Sequence, residues 1–315
     1  MSQQTQLQLL GTDTRPIFDR FWEIIAPFQG ELWNYCRKIT GDPWDGEDLY
    51  QDTLMKSFTS LSSLSIRTQV LHPKSYLFRV ATNHWIDICR RQQKIKFEDF
   101  ADEKYSLRSP SAPFNVYESV QYLLQYLPPK QSAAVNLIDA FQFTASEAAE
   151  VIGTTEGAVQ AALFRGRSML RKLASSEIHK GIAHDLPDVS IVQKYVDFFN
   201  DRNFEGIAGL LAEHAVFSFV TQSSKEFGRD MIMKASHNPS HYQRSDLKAV
   251  MTNLWKKTIV VLYKTDALGS PIALNELLTI ETEDNCIIGI KGYYFCLELM
   301  EAASEILGVS RESAE

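Results

Sequence analysis

Apolar residues recur at helical spacing through the first half of the chain and give way to short apolar runs in its last third. Ile17, Phe18, Phe21, Ile24, Ile25 and Phe28 predict a first helix with a stripe facing a core. A second helix is expected over Glu31–Ile39, before the break at Gly41-Asp42-Pro43. A third would start with Asp45 as N-cap, carry Glu47 and Asp48 in its first turn, and run through Leu49, Thr53, Leu54, Phe58 and Leu61. That leaves Asp48, Gln51 and Asp52 on its exposed face. After a polar loop over 62–73, Leu77, Val80, Ala81, His84, Trp85 and Ile88 form an apolar stripe on a helix from about Lys74 to Arg91. The other side of this helix carries Arg79, Asn83, Asp87 and Arg90, and from Lys74 to Lys96 there are six basic residues against one acid, Asp87. Such a local positive face suits phosphate contacts, although many basic faces are merely solvated.

Residues 143–172 read as two short helices around a glycine turn. Ala145, Ala148, Ala149 and Ile152 give the first an apolar stripe, Gly153 ends it, and Thr154 or Thr155 caps the second. Val159, Leu163 and Leu170 of the second helix face inward, and its end is basic at Arg165, Arg167, Arg171 and Lys172. By itself this pattern fits a plain helical hairpin as well as a DNA-binding helix-turn-helix. The stretch 97–113, with two prolines, three serines and mixed charge, reads as a linker.

Beyond residue 189 the pattern changes. Ile191–Phe199 is amphipathic and Phe204–Leu211 a further helix; AVFSFV, TIVVLYK, LNELLTIETE and CIIGIKGYYF then read as strands. Helices followed by a run of antiparallel strands imply an α+β domain, with the helices against one face of a curved sheet.

A net charge of -7 argues against wholesale coating of nucleic acid, so any DNA contact comes from local basic faces. The four cysteines, Cys36, Cys89, Cys286 and Cys296, are scattered without a CxxC pair, which points to a reducing cytoplasm and to no disulfide framework or zinc site. Cys89 stands five residues from His84, but two residues do not make a metal site, and both read as packing. The N-terminus has no signal-peptide pattern, and no apolar run approaches the roughly 18–20 residues of a membrane span.

DGEDLYQDTLMKSFTSL followed by HPKSYLFRVATNHWIDICRRQQ resembles region 2 of a sigma-70-family sigma factor of the small extracytoplasmic-function (ECF) type. In that family a linker and a helix-turn-helix, region 4, come next, and the stretch 143–172 falls there. The resemblance covers about residues 10–175. It implies all-α region 2 over 10–96, a linker over 97–116 and all-α region 4 over 117–176; minimal members end near Lys172, and here a linker over 177–189 and a C-terminal domain over 190–315 follow, so a multidomain protein is expected. It implies core RNA polymerase and promoter DNA as partners, the DNA melted at the -10 element and double-stranded at the -35 element. Carried over, Asp48, Leu49, Gln51 and Asp52 form the polymerase-docking face, with Leu49 as an exposed leucine. Arg79, Asn83, Asp87, Arg90 and Arg91 face the -10 element, with the loop Leu64–Pro73 shaping a pocket for a flipped base. Thr155, Glu156, Gly157, Gln160 and Ala161 point at -35 bases, with Arg165 and Arg167 nearer the phosphates. Gln160 and Ala162 replace basic residues frequent in the family, and Phe164 replaces a frequent histidine, so modest intrinsic affinity for the -35 element is expected, with tethering to polymerase supplying the rest.

The layout of the third domain is similar to SnoaL-like domains, whose cone encloses a pocket, although the glycine-rich segment of some sigma-fused versions is absent at TQSSKEFGRD. His214, Asp230, His237, Tyr293 and Tyr294 are acid–base candidates there, but no spacing marks a general acid and base. The expected role is regulatory, with a small ligand as an optional effector. No enzyme activity, cofactor, metal or membrane attachment is expected, and the implied place is the bacterial cytoplasm, at the nucleoid. The competing readings are a one-component ligand-sensing DNA-binding regulator and a fusion of an enzyme to a DNA-binding module.

Overall fold

A computed structural model describes residues 3–61, 72–99, 127–175, 189–220, 225–240 and 246–312, in two units, Met1–Ile182 and Ala183–Glu315.

In the first unit, α1 (Gln3–Ile25) passes through a 3-10 turn into α2 (Gln29–Thr40), which Gly41 ends at φ 76°. Asp42, and not Asp45, caps α3 (Pro43–Thr59): its carboxylate accepts from the Trp44 and Asp45 amides at 2.8 and 3.1 Å. Pro43 fits the first helical position, where a missing N–H leaves nothing unpaired, so the helix starts earlier than the charge pattern implied. α2 and α3 cross closely at Gly46, where a Cβ would lie 2.6 Å from the Arg37 Cα. The core gathers Tyr35, Cys36 and Ile39 of α2, Leu49, Tyr50 and Leu54 of α3, and Leu77, Phe78 and Ala81 of α4 (Pro73–Asp99).

Two expected stripes need correction. Phe21 and Ile25 are buried, but Ile17, Phe18 and Ile24 are exposed, because α1 meets the bundle along one edge only. In α4 the buried set is Leu77, Phe78, Ala81, Thr82, His84 and Ile86, while Val80, Trp85 and Ile88 are half-buried. The helix is gripped from two sides, by α2 and α3 and by the helices that follow, which a single stripe does not capture.

Those helices are α5 (Pro129–Val135), continued by a π-turn over Asn136–Ala140, then α6 (Ala145–Ile152) and α7 (Glu156–Ser175). Thr144 and Glu147 form a capping box on α6, and the bonds from Thr144 hold the Glu147 carboxyl below its ordinary range. Gly153 then ends α6 at φ 69°, and Thr155 caps α7 by accepting from the Ala158 amide at 3.3 Å. α6 packs on α4. Phe78 of α4 sits among Tyr35, Phe141 and Phe143 at ring distances of 4.7, 5.6 and 5.2 Å. Lys74, paired with Glu31, lies 5.2 Å from the centre of the Phe143 ring, and Lys38 lies 5.0 Å from that of Phe141.

The helix backbone of α4 continues to Asp99, and the rest of the expected first linker, with the apolar stretch 117–126, lies outside the described residues. So do the base-pocket loop up to residue 71 and most of the second linker.

The second unit opens with α8 (Val189–Asn200) and α9 (Phe204–Leu210), which lead into a six-stranded sheet of order β2-β1-β6-β5-β4-β3. The strands are β1 (Leu211–Phe219), β2 (Lys225–Phe227), β3 (Leu247–Leu254), β4 (Lys257–Thr265), β5 (Pro271–Glu283) and β6 (Cys286–Gly292). α10 (Arg229–Lys234) follows β2, and α11 (Leu297–Leu307) follows β6 and packs on β5. The four expected strands are present, although the last ends at Gly292 and not at Phe295, and the α+β class holds. One pair departs from the expected antiparallel run: β1 and β6 are parallel. β3 gives no strand signal in the sequence because its Lys248, Asn253 and Ala249 are poor strand formers, and pairing with β4 over eight positions supplies what propensity does not. The core joins Tyr195, Val196 and Phe199 of α8 to Phe217, Leu262, Leu278, Ile280 and Ile290 of the sheet. Along β5 every residue from Glu276 to Ile280 is buried, so both faces of this strand are covered there.

Candidate polymerase and promoter faces

α3 places Asp48, Gln51, Asp52 and Met55 on one face, three and four residues apart. Asp48 and Asp52 are exposed and Gln51 is half-buried. Leu49 is not the exposed leucine expected there: it is 2% exposed, because position 49 turns towards α2 and the core. Met55, 45% exposed, supplies the apolar element of this face instead. Two of the polar residues are held from beneath. The Gln51 amide donates to the Glu47 carboxylate at 2.7 Å, and buried Glu47 also accepts from the Trp33 indole at 2.6 Å. Asp52 Oδ2 lies 2.9 Å from His84 Nε2, and His84 Nδ1 lies 2.5 Å from the Lys56 ammonium. His84 read as packing in the sequence. The signal for more was a lone polar ring in an apolar stripe, facing a helix that offers both an acid and a lysine.

On α4, Arg79, Asn83, Asp87, Arg90 and Arg91 are all exposed. Asp87 meets Arg90 at 3.3 Å, and Arg91 Nε reaches the Asp87 carbonyl at 3.4 Å. An exposed pair of this kind contributes at most about 1 kcal/mol, so a phosphate can displace the carboxylate.

At the start of α7, Thr155, Glu156, Gly157 and Gln160 are exposed and Ala161 is half-buried. The Gln160 amide donates to the Glu156 carboxylate at 3.3 Å, so the two polar side chains share a site. Phe164 is 74% exposed on the same side. Arg165 is exposed and borders a cleft that Arg90 of α4 also borders, over a floor of Ile86, Ile152, Val159 and Ala162. Arg167 makes a two-pronged pair with Asp139, Nε to Oδ2 at 3.0 Å, which strengthens its hold on its proton.

The family model for sigma-70 region 2 matches residues 24–95, and that for sigma-70 region 4 matches residues 117–170, in the family's order and on the helices that carry these faces. In these two regions the chain belongs to the sigma-70 family. It is an alternative sigma factor of the ECF type, a factor of transcription initiation. The ECF sigma factor SigG of Mycobacterium tuberculosis is 24% identical over 254 residues, covering 71% of this chain and 68% of SigG. That share of a 315-residue chain is about 224 residues, more than region 2, region 4 and their linker together, so the similarity runs on into the C-terminal domain. SigM of Bacillus subtilis is 25% identical over 155 residues, covering 48% of this chain and 93% of SigM. Among solved structures, Mycobacterium tuberculosis SigJ covers 87% of this sigma factor and 97% of its own chain at 15% identity, with a TM-score of 0.31, too low to carry weight of its own.

The C-terminal domain of the sigma factor places its titratable groups differently. Of the acid–base candidates, His214 and Asp230 are exposed and Tyr294 is half-buried, while His237 and Tyr293 are buried with different neighbours. His237 Nε2 lies 2.8 Å from the Tyr195 hydroxyl, and the Tyr293 hydroxyl lies 3.4 Å from Thr279 Oγ1. Burial pushes the His237 imidazole down to about 4, so it is neutral at neutral pH. Glu276, the acid among the apolar residues of β5, carries no signal in the sequence that marks it as a site residue. Its carboxyl is buried, its Oε1 has no hydrogen-bond partner among the described residues, and desolvation pushes its pKa up to about 8. Gly292 makes room for it, since a Cβ there would lie 2.5 Å from Glu276 Oε1 and 3.3 Å from the Phe217 ring. The other face of that ring's surroundings is His237, with ring centres 5.7 Å apart. Among the described residues no cluster of side chains is arranged to hold a metal ion, and no helix is long and apolar enough to cross a membrane.

Proposed function

We propose that the described arrangement of the sigma unit is its closed form, and that transcription initiation requires region 4 to leave region 2. The observation that carries this is the packing of α6, Phe141 and Phe143 on Phe78 of α4. Elements named for positions -10 and -35 lie about 25 base pairs apart, roughly 85 Å of duplex. Two helices joined through one aromatic cluster do not span that distance. In the open form α3 docks on core polymerase through Asp48, Gln51, Asp52 and Met55. α4 turns Arg79, Asn83, Asp87, Arg90 and Arg91 to the melted -10 strand. α7 enters the -35 major groove with Thr155, Glu156, Gly157, Gln160 and Ala161, while Arg165 takes a phosphate and Arg167 does so once Asp139 lets go. Probes on the exposed faces of α4 and α7 test the closed form: their separation should grow by tens of ångströms in the promoter-bound holoenzyme. An unchanged separation there would exclude this reading.

The C-terminal domain, in the same reading, biases the closed–open equilibrium without chemistry of its own, as a ligand does when it binds one form better. The unpartnered Glu276 oxygen supports a small neutral effector bearing a hydrogen-bond acceptor. Native mass spectrometry of the protein taken from its own cells tests this. A retained small molecule that Glu276→Leu loses is the expected result; equal retention by both proteins removes Glu276 from the reading. Removal of residues 190–315 should change transcription from the factor's promoters, and unaltered output would leave the domain no regulatory part.

A further inference from the structure

His84 stands on the promoter helix α4, is 7% exposed, and reaches across to two residues of the docking helix α3. The chemistry of the two contacts fixes its proton. A lysine ammonium only donates, so Nδ1, 2.5 Å from Lys56 Nζ, is the acceptor. The ring proton is then on Nε2 and is donated to Asp52 Oδ2 at 2.9 Å. Asp52 is otherwise a solvent-facing side chain, 62% exposed. One of its oxygens is tied down by a buried ring, and the carboxylate is thereby held in one orientation on the surface. A freely rotating aspartate would have to be ordered when a partner arrives, and that ordering opposes binding. The neighbouring Gln51 is held in the same manner by buried Glu47, itself fixed by Trp33.

We infer that His84 is a positioning residue for polymerase docking: from the promoter helix it orients the Asp52 carboxylate of the docking helix towards a basic group of core RNA polymerase. This rests on the reading of Asp52 as a docking residue. It also makes one side chain common to the two faces of region 2, since a shift of α4 on promoter DNA moves the ring that holds Asp52.

The affinity of the full-length protein for its cognate core polymerase, measured in a double-mutant cycle, tests it. His84→Leu keeps an apolar side chain of similar bulk in the stripe and removes both hydrogen bonds. It should weaken core binding about three- to tenfold in the wild-type background, the scale of one side chain's ordering. In an Asp52→Asn background the same change should cost less than about twofold, because the group it positions has lost its charge. His84→Gln, which can donate to Asp52 and accept from Lys56, should restore most of the affinity, as a purely packing role would not require. If His84→Leu unfolds the protein, His84→Asn takes its place, being polar but too short to bridge the helices. Equal losses in both backgrounds, or no loss from His84→Leu, would overturn the inference while leaving Asp52 a docking residue. An Asp52→Asn protein that binds core polymerase like wild type would remove the docking reading itself, and the inference with it.

Discussion

Beneath α3 of the sigma unit, buried Glu47 and His84 each use their hydrogen bonds to hold an outward-facing residue, Gln51 or Asp52. In the C-terminal unit, buried Glu276 holds nothing at the surface, and one of its oxygens meets no partner among the described residues. The sigma unit presents charge: Asp48 and Asp52 of α3, Arg79, Asp87, Arg90 and Arg91 of α4, and Glu156 of α7 stand exposed over aromatic and aliphatic cores. The C-terminal unit encloses two titratable groups, His237 and Glu276, and favours their neutral forms by desolvation. Exposed charge is free to meet a partner of opposite charge, whereas an enclosed carboxyl or imidazole is held neutral away from water.

The largest expected effect separates the two cores. Phe78→Ala removes a fully buried ring at the centre of the contacts with Tyr35, Phe141 and Phe143, and should cost the sigma unit about 3–5 kcal/mol in denaturant unfolding. The unfolding of the C-terminal unit should not move. If both transitions shifted equally, the two units would not be the independent cores the comparison requires.

Next comes the pH dependence of the C-terminal unit. Glu276 is raised from 4.5 to about 8 in the folded state, so between those values the unfolded chain has lost a proton that the native one keeps, and stability falls as pH rises. His237 is lowered from 6.5 to about 4, so between those values the unfolded chain carries the extra proton, and stability rises with pH. The two slopes oppose each other from pH 4.5 to 6.5, and Glu276 acts alone from 6.5 to 8. The unit should therefore hold a plateau in the acid range and lose up to about 1.4 kcal/mol per pH unit above it. Glu276→Gln should remove that decline, and an unchanged decline would show that the carboxyl is not held neutral in the core.

The smallest effect concerns presented charge. Arg165→Ala should weaken promoter binding by the holoenzyme across sequences and lower the salt slope by about 1. Arg167→Ala should do less, because its guanidinium must first leave Asp139. Gln160→Ala should change the preferred bases instead. Equal salt effects of the two arginines would mean that the Asp139 pair has no bearing on DNA binding.

Much of the fold was legible because helix period, glycine stops and the β-branched strand runs are local signals. Gly153 and Thr155 stand where a stop and a cap were expected, and the five α4 site residues lie on the polar side that their spacing defines. Long-range packing was not legible. The burial of Phe78 and Ile86 depends on region 4 covering α4, and that of Leu49 on α2 crossing α3 at Gly46. His84 looked like part of a stripe because only the fold brings Lys56 and Asp52 to its two nitrogens. Glu276 was not legible for a related reason: one acid in an apolar run resembles a solvent-facing strand position until both faces of β5 are covered.

Run-off transcription with purified core polymerase, with no other sigma factor present, tests the central claim most directly. The full-length chain should convert core enzyme into one that initiates at defined start sites of its promoters, and the docking variant Asp52→Asn should initiate less. Transcripts that appear only when another sigma factor is added would contradict the account and leave a DNA-binding regulator in its place.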